Sequence, residues 1–147
     1  QPYSQAYGTL ERALATHGEV DLHALLEPLE REQEPWVEGT LLRAAAALAP
    51  QDPRVRARVL ARFPTLPGEL AEAVATVAPD RARDLLFAAF DALPVDAEDP
   101  PFLKAQALRL GLATLGLELE GPRDRRYRTL RALYDATMKD MLHRFQR

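Results

Sequence analysis

The spacing of its prolines limits the fold of this chain more than any other feature. Twelve prolines divide the 147 residues into segments of helix length. Proline interrupts the interior of a helix, because it has no backbone N–H, but it is favoured in the first turn. Leucine and alanine dominate the apolar residues and isoleucine is absent, whereas strands favour β-branched residues. The pattern predicts an all-α fold of seven to eight short helices.

Two helices are predicted before Pro35. The first carries an apolar stripe from Tyr3 to His17, and the second runs from Leu22 to Glu32 with Asp21 as its N-cap. Further helices are expected to begin at Pro35, Pro53, Pro67 and Pro79. The strongest of these signals is Asp52-Pro53, because Asp is a preferred N-cap and Pro a preferred first helical residue.

The C-terminal third is predicted to hold two helices after a loop at residues 94–101. The segment Phe102–Leu117 is apolar on nearly every side, which predicts a central, buried helix. Gly111 and Gly116 are expected to let a neighbouring helix approach closely. The last helix, Arg123–Phe145, carries apolar residues at helical spacing. They are Tyr127, Leu130, Tyr134, Met138, Met141 and Phe145.

The run from Asp52 to Phe63, Asp-Pro-Arg-Val-Arg-Ala-Arg-Val-Leu-Ala-Arg-Phe, resembles the Asp-Pro-x-Val-Arg helix of a HEAT repeat. HEAT units are helix pairs of about 40 residues, and the resemblance covers residues 20–63, with Glu38 where the pattern expects Arg. It implies a stacked α-solenoid that binds protein or nucleic acid, in which Asp52 and Arg56 tie adjacent repeats together. The helix pattern alone leaves an irregular orthogonal bundle as the alternative. Either way, residues 1–147 are expected to form one domain, alone or within a longer chain.

The inventory of reactive residues argues against catalysis. There is no cysteine, and the single serine, Ser4, lies near a terminus. Asp140 and His143 form one carboxylate-x-x-His pair, whereas a di-metal site in a helical bundle needs two such pairs and further carboxylates. The known nucleotide-binding loops are absent. We therefore predict no catalytic residue, no metal and no cofactor.

Charge is distributed unevenly along the chain. Residues 1–40 have eight acidic and two basic side chains, and residues 121–147 have three acidic and eight basic ones. Arginines cluster on one face of the Pro53 helix and at the start of the last helix, where cations oppose the helix dipole. The candidate macromolecule-binding residues are Arg54, Arg58, Arg62, Arg123, Arg125, Arg126, Arg128 and Arg131.

These arginines fit several roles. They could bind phosphate through planar, bidentate donors, with Tyr127 stacking on a base. They could also dock an acidic partner, pair with the acidic residues 19–38 of the same chain, or simply be solvated.

Taken together, the sequence predicts a non-catalytic helical scaffold that mediates protein–protein interaction, as a domain or subunit of a larger assembly. The alternative is a nucleic-acid-binding domain that uses the arginine-rich start of the last helix. No apolar run reaches the roughly 18 residues of a membrane span. A cytoplasmic location is expected, and an exported mature chain is the alternative, because the sequence begins with Gln1 and not with Met. The lack of asparagine is typical of a thermophile or a GC-rich genome.

Overall fold

The computed structural model describes residues 22–29 and 34–146, and all regular structure within them is helical. This confirms the all-α prediction. The first predicted helix, Asp21 and residues 30–33 lie outside the described residues. The described helices are α1 (Leu22–Leu29), α2 (Pro35–Leu48), α3 (Pro53–Arg62), α4 (Ala71–Val77), α5 (Pro79–Asp91), α6 (Phe102–Thr114) and α7 (Pro122–Phe145).

Prolines mark the start of four of these helices, α2, α3, α5 and α7. At α3 the predicted cap is present, because Oδ1 of Asp52 accepts a hydrogen bond from the backbone N–H of Arg54 at 2.8 Å. Gly121, with φ of 56°, turns the chain immediately before α7. Proline placement therefore marks the start of these four helices, and a side-chain cap adds to it at α3.

The helix predicted to begin at Pro67 begins instead at Ala71. Both Pro64 and Pro67 lack an N–H, so the chain before α4 forms only successive turns, such as the bond from Leu66 N–H to the Arg62 carbonyl at 3.0 Å. Leu66 is nevertheless buried. The turns thus contribute to the core without extending the helical ladder.

The helices pack in the order in which they occur in the chain. Each contacts the next helix, α4 also packs against both α2 and α6, and ion pairs join α3 to α5 and α5 to α7. This arrangement places α2, α4 and α6 side by side in one layer, with α3, α5 and α7 in the other. The core between them is built mainly from leucine, valine and alanine. Its largest fully buried side chains are Phe90, Leu42, Leu70, Leu86, Leu108, Leu112, Leu130, Val55, Val59 and Val74.

Gly111 in α6 and Gly116 just after its end are predicted to allow a close approach, and only Gly111 does. A Cβ on Gly111 would lie 2.8 Å from the carbonyl oxygen of Ala71, so its absence lets α4 and α6 come together. At Gly116 no atom of the described residues lies within 4 Å of a Cβ position, so the prediction of a close approach there is wrong. Instead its φ of 73° ends the helix, with Leu117 N–H bonded to the Leu112 carbonyl at 2.9 Å.

Helix α7 extends well beyond the helix on which it packs. Its 24 residues span about 36 Å, whereas the 13 residues of α6 span about 20 Å. Phe102, the first residue of α6, contacts the rings of Tyr127 and Tyr134, with centroids 5.5 and 5.1 Å apart. Beyond Tyr134 the apolar stripe continues as Met138, Met141 and Phe145, which are exposed.

Candidate functional site

The layer of α2, α4 and α6 carries an open groove with a volume of about 740 Å³. Helix α4 lies between the other two and has only seven residues. Many of the side chains that line the groove are small, which leaves it open. Gly39 allows Glu69 to lie against α2, because a Cβ on Gly39 would be 3.2 Å from the Glu69 Cβ. The lining residues are Arg43, Ala44, Ala46, Ala47, Leu48, Gly68, Glu69, Glu72, Ala73, Thr76, Ala107 and Leu110.

Ala107 and Leu110 of α6 line one side of this groove, and the strip of α6 around them, which lies between exposed Lys104 and exposed Arg109, has no charged residue. Leu103 and Leu110 are 60% and 51% exposed, although an all-round apolar helix was predicted to be buried. Helix α6 is central, since it packs on α4, α5 and α7, but the prediction of burial is wrong for these two leucines, which its neighbours leave exposed. The rest of this uncharged face consists of Gln106, Ala113 and Thr114. Exposed apolar faces of this kind are typical of interaction sites.

Acidic side chains line the α4 part of the groove. Glu69 and Glu72 are exposed, one helical turn apart, and neither carboxylate is paired with a basic group of residues 22–29 or 34–146. Several other carboxylates of the described chain are paired with arginine. For example, buried Glu38 accepts a hydrogen bond from Arg62 Nε at 2.5 Å.

The arginines at the start of α7 mainly fasten this helix to α5. Arg123 binds both carboxylate oxygens of Asp91 at 2.9 Å and lies over the Phe87 ring, 4.1 Å from its centroid. Arg126 donates to the Asp91 backbone carbonyl at 3.1 Å. Cations near the C-terminal end of a helix are favoured by its dipole. The end of α5 therefore compensates for the unfavourable position of these arginines at the start of α7.

Arg128 pairs with Asp124 within α7. Arg125 and Arg131 are exposed, and neither has an ion-pair partner among residues 22–29 and 34–146. They are the two arginines of the α7 cluster whose guanidinium groups remain available to a ligand. The predicted pairing of this cluster with residues 19–38 does not account for Arg123 and Arg128, because their carboxylate partners lie elsewhere.

The second arginine cluster lies on α3. Arg54 bonds to the carboxylate of Asp52 and Arg62 to that of Glu38, while Arg58 is partly exposed. Helix α3 packs against α2 and α4, and α7 packs against α6. Intramolecular pairing thus accounts for Arg54 and Arg62.

Ion pairs with arginine shift the pKa values of three aspartates. The hydrogen bond from Arg123 holds the pKa of Asp91 below its usual value, and the charges of Arg123 and Arg126 act in the same direction. Arg56 lowers the pKa of Asp80 in the same way, through bonds of 2.8 and 3.0 Å. Arg54 lowers that of Asp52. These groups lie outside the groove.

Acid is therefore expected to weaken the α5–α7 junction. A carboxylate whose pKa is lower in the folded chain stabilises it above the unfolded-state value, about 3.9, and this contribution is lost as the pH falls through the folded-state pKa. Replacing Asp91→Asn should cost about 0.2–1 kcal/mol at pH 7, the range for exposed pairs. The difference from wild type should shrink below about pH 4.

Urea denaturation of both proteins across this pH range measures the effect. Asp135→Asn is the matched control, because Asp135 is an exposed carboxylate of α7 without an ion-pair partner in the described part of the chain. Equal effects of the two substitutions at every pH would contradict a role for the Arg123–Asp91 pair.

The structure also bears on the hypotheses that Tyr127 stacks on a base and that Asp140 and His143 bind a metal. Tyr127 is buried against Phe102 and beneath the Arg109 guanidinium, 4.9 Å from the ring centroid, so the hypothesis that it stacks on a base is wrong. Asp140 is paired with Arg144 at 3.1 Å. Within the described residues, no three His, Asp or Glu side chains converge in a way that could hold a metal.

Comparison with protein-family models, curated proteins and solved structures finds no match. In the part of the chain that the structure describes, no helix combines the length and apolarity that crossing a membrane requires.

The groove residues were not identified as a site from the sequence. Glu69 and Glu72 lie in a short segment without a motif, and the apolar pattern of α6 predicts that Leu103 and Leu110 belong to the core. An all-round apolar helix indicates burial, so the pattern of α6 holds no signal that distinguishes its exposed leucines from its buried ones.

Proposed function

We propose that this chain is a non-catalytic helical scaffold that binds a segment of a partner protein along the groove of α2, α4 and α6. The observation that carries the proposal is the exposed, uncharged face of α6, with Leu103 and Leu110 beside an open groove of about 740 Å³. Burial of such leucines against a partner would remove apolar surface from water. Grooves between helices commonly receive a helix or an extended peptide.

The proposed fold type is a HEAT-like stack. The order of helix contacts supports it, because extensive contacts join helices adjacent in the chain or separated by one helix. Arg56 on α3 also bonds to Asp80 at the start of α5, 24 residues away, which is the kind of tie that the HEAT resemblance implies for Arg56. Asp52, in contrast, caps its own helix. Stacked helix pairs build extended binding surfaces of this sort.

Nucleic-acid binding is the second candidate, and fewer residues support it. Of the eight arginines proposed for it, Arg54, Arg62, Arg123 and Arg128 are paired with carboxylates of the chain. Exposed Arg125 and Arg131 favour it. Two phosphate contacts would give a log–log salt slope of only about −1.4 to −1.8.

The proposal is tested with a display library of peptides that the coding sequences of the source organism encode. Peptides that bind the folded protein are selected from this library. Synthetic versions of the enriched peptides are then titrated against wild type and against Leu103→Glu/Leu110→Glu. We expect binding to weaken at least about tenfold in the variant, because central apolar anchors carry much of the binding energy. Fluorescence anisotropy measures the affinity.

Leu142→Glu is the matched control, since Leu142 on α7 is 60% exposed, like Leu103. It should leave the affinity within about twofold of wild type. If the enriched peptides bind all three proteins equally, the groove is not the site. If none is enriched while a labelled oligonucleotide binds with a salt-dependent affinity, the nucleic-acid candidate replaces the scaffold.

A further inference from the structure

We infer that the segment received by the groove is an amphipathic helix with Lys or Arg on one edge. This inference rests on the proposed function, and it names the chemistry of the partner. The first argument is the shape of the α6 wall. Leu103 and Leu110 are seven residues apart, about 10.5 Å along the helix, and both are exposed.

An apolar stripe on the partner has to match this spacing. On a second helix, positions i, i+3 or i+4 and i+7 lie on one side and span the same length. An extended strand would cover the same distance in about three residues, with side chains alternating between two faces. The uncharged face of α6 therefore fits the apolar side of a helix.

The acidic side chains of the groove indicate the charge that the edge of the partner helix should carry. Glu69 and Glu72 lie beside the α6 wall without an ion-pair partner among the described residues, and Thr76 continues their face of α4. Arg43 lines the α2 side, and the Lys104 side chain packs near Gly68, 3.4 Å from a Cβ position there. Neither cation pairs with the two glutamates, so both carboxylates are available to cations of a ligand.

Small side chains make room for long basic ones. Ala47 and Ala107 line the groove on either side of α4. The aliphatic stem of a Lys or Arg can pack along such apolar walls while its charged end reaches a carboxylate. Because Glu69 and Glu72 are three residues apart, two basic residues at i and i+3 or i+4 of the partner helix would meet them.

The inference is tested with two designed peptides of about 18 residues, five helical turns. They share one apolar stripe at i, i+3/i+4 and i+7 and differ only in whether Lys or Glu occupies its edge. We expect the Lys peptide to bind wild type at least about tenfold more tightly than the Glu peptide at about 50 mM salt, and the preference to shrink at about 300 mM. In Glu69→Gln/Glu72→Gln the preference should fall to about twofold or less.

Glu98→Gln/Asp99→Asn is the matched control, because these two acidic residues are exposed in the loop between α5 and α6. It should keep the preference for the Lys peptide. Equal affinities of the two peptides for wild type, or no binding by either, would overturn the inference. If the two peptides bind wild type equally and neither binds Leu103→Glu/Leu110→Glu, the groove remains the binding site but has no charge preference. If the affinity of both peptides is unchanged by the substitution of those two leucines, the proposed function fails as well.

Discussion

Phe90→Ala is expected to lower the free energy of unfolding by about 3–5 kcal/mol, the range for removing a buried phenylalanine. Phe90 lies near the end of α5 and is fully buried in the core between the layers. The substitution removes the ring from its contacts and leaves a cavity that the surrounding helices fill only in part. Since a domain of this size has only about 5–15 kcal/mol of stability, this single change removes a large fraction. Urea denaturation followed by circular dichroism measures it.

The same substitution at Phe145 provides the matched control. Phe145 is 82% exposed at the end of α7, so the same atoms are removed without opening a cavity. We expect a change within about 0.5 kcal/mol. A loss as large as that of Phe90→Ala would mean that a second molecule or another part of the chain covers the end of α7 in solution.

Gly111→Val is expected to destabilise the fold by about 2–3 kcal/mol, as overpacking does. The new Cβ alone would lie 2.8 Å from the Ala71 carbonyl oxygen and 3.1 Å from the Ala71 Cβ. Backbone atoms cannot rotate away as a flexible side chain can, so α4 and α6 have to separate. This contact lies beneath the groove, and we therefore expect weaker peptide binding together with the lower stability.

Ala113→Val on the same helix is its control. Ala113 is exposed, so the change affects only the helix propensity, by about 0.5 kcal/mol. Thermal denaturation of both variants separates propensity from packing. Equal melting temperatures would show that α4 and α6 are not held at the observed separation.

Local chemistry explains which parts of the fold were predictable. Asp52-Pro53 sets the start of α3 through a cap and a preferred proline, both encoded within two residues. The prediction of a helix start at Pro67 is wrong, because nothing in the neighbouring sequence distinguishes a proline that begins a helix from one in a turn. The regular ladder starts only at Ala71.

Long-range contacts explain the rest. Arg123 and Asp91 are 32 residues apart, and no periodicity links an arginine on one helix to the end of another. The groove has the same origin, because Arg43, Glu72 and Leu110 belong to three helices that only packing brings together. The exposure of Leu110 could not be predicted either. A leucine on an apolar helix indicates a core position, and only the packing of neighbouring helices shows which sides of the helix are covered.

The order in which the helices pack also affects how the chain gains and loses structure. Extensive contacts within the described residues join helices that are adjacent in sequence or separated by one helix. In the proposed HEAT-like stack, cooperativity would pass from each helix to its neighbours, so folding could nucleate locally and propagate along the chain. Loop-closure entropy grows only slowly with the length of the closed loop, so contacts between helices separated by one other helix add little to it. Helix α4 therefore provides the main packing connection between α1–α3 and α5–α7, beside the ion pair of Arg56 with Asp80.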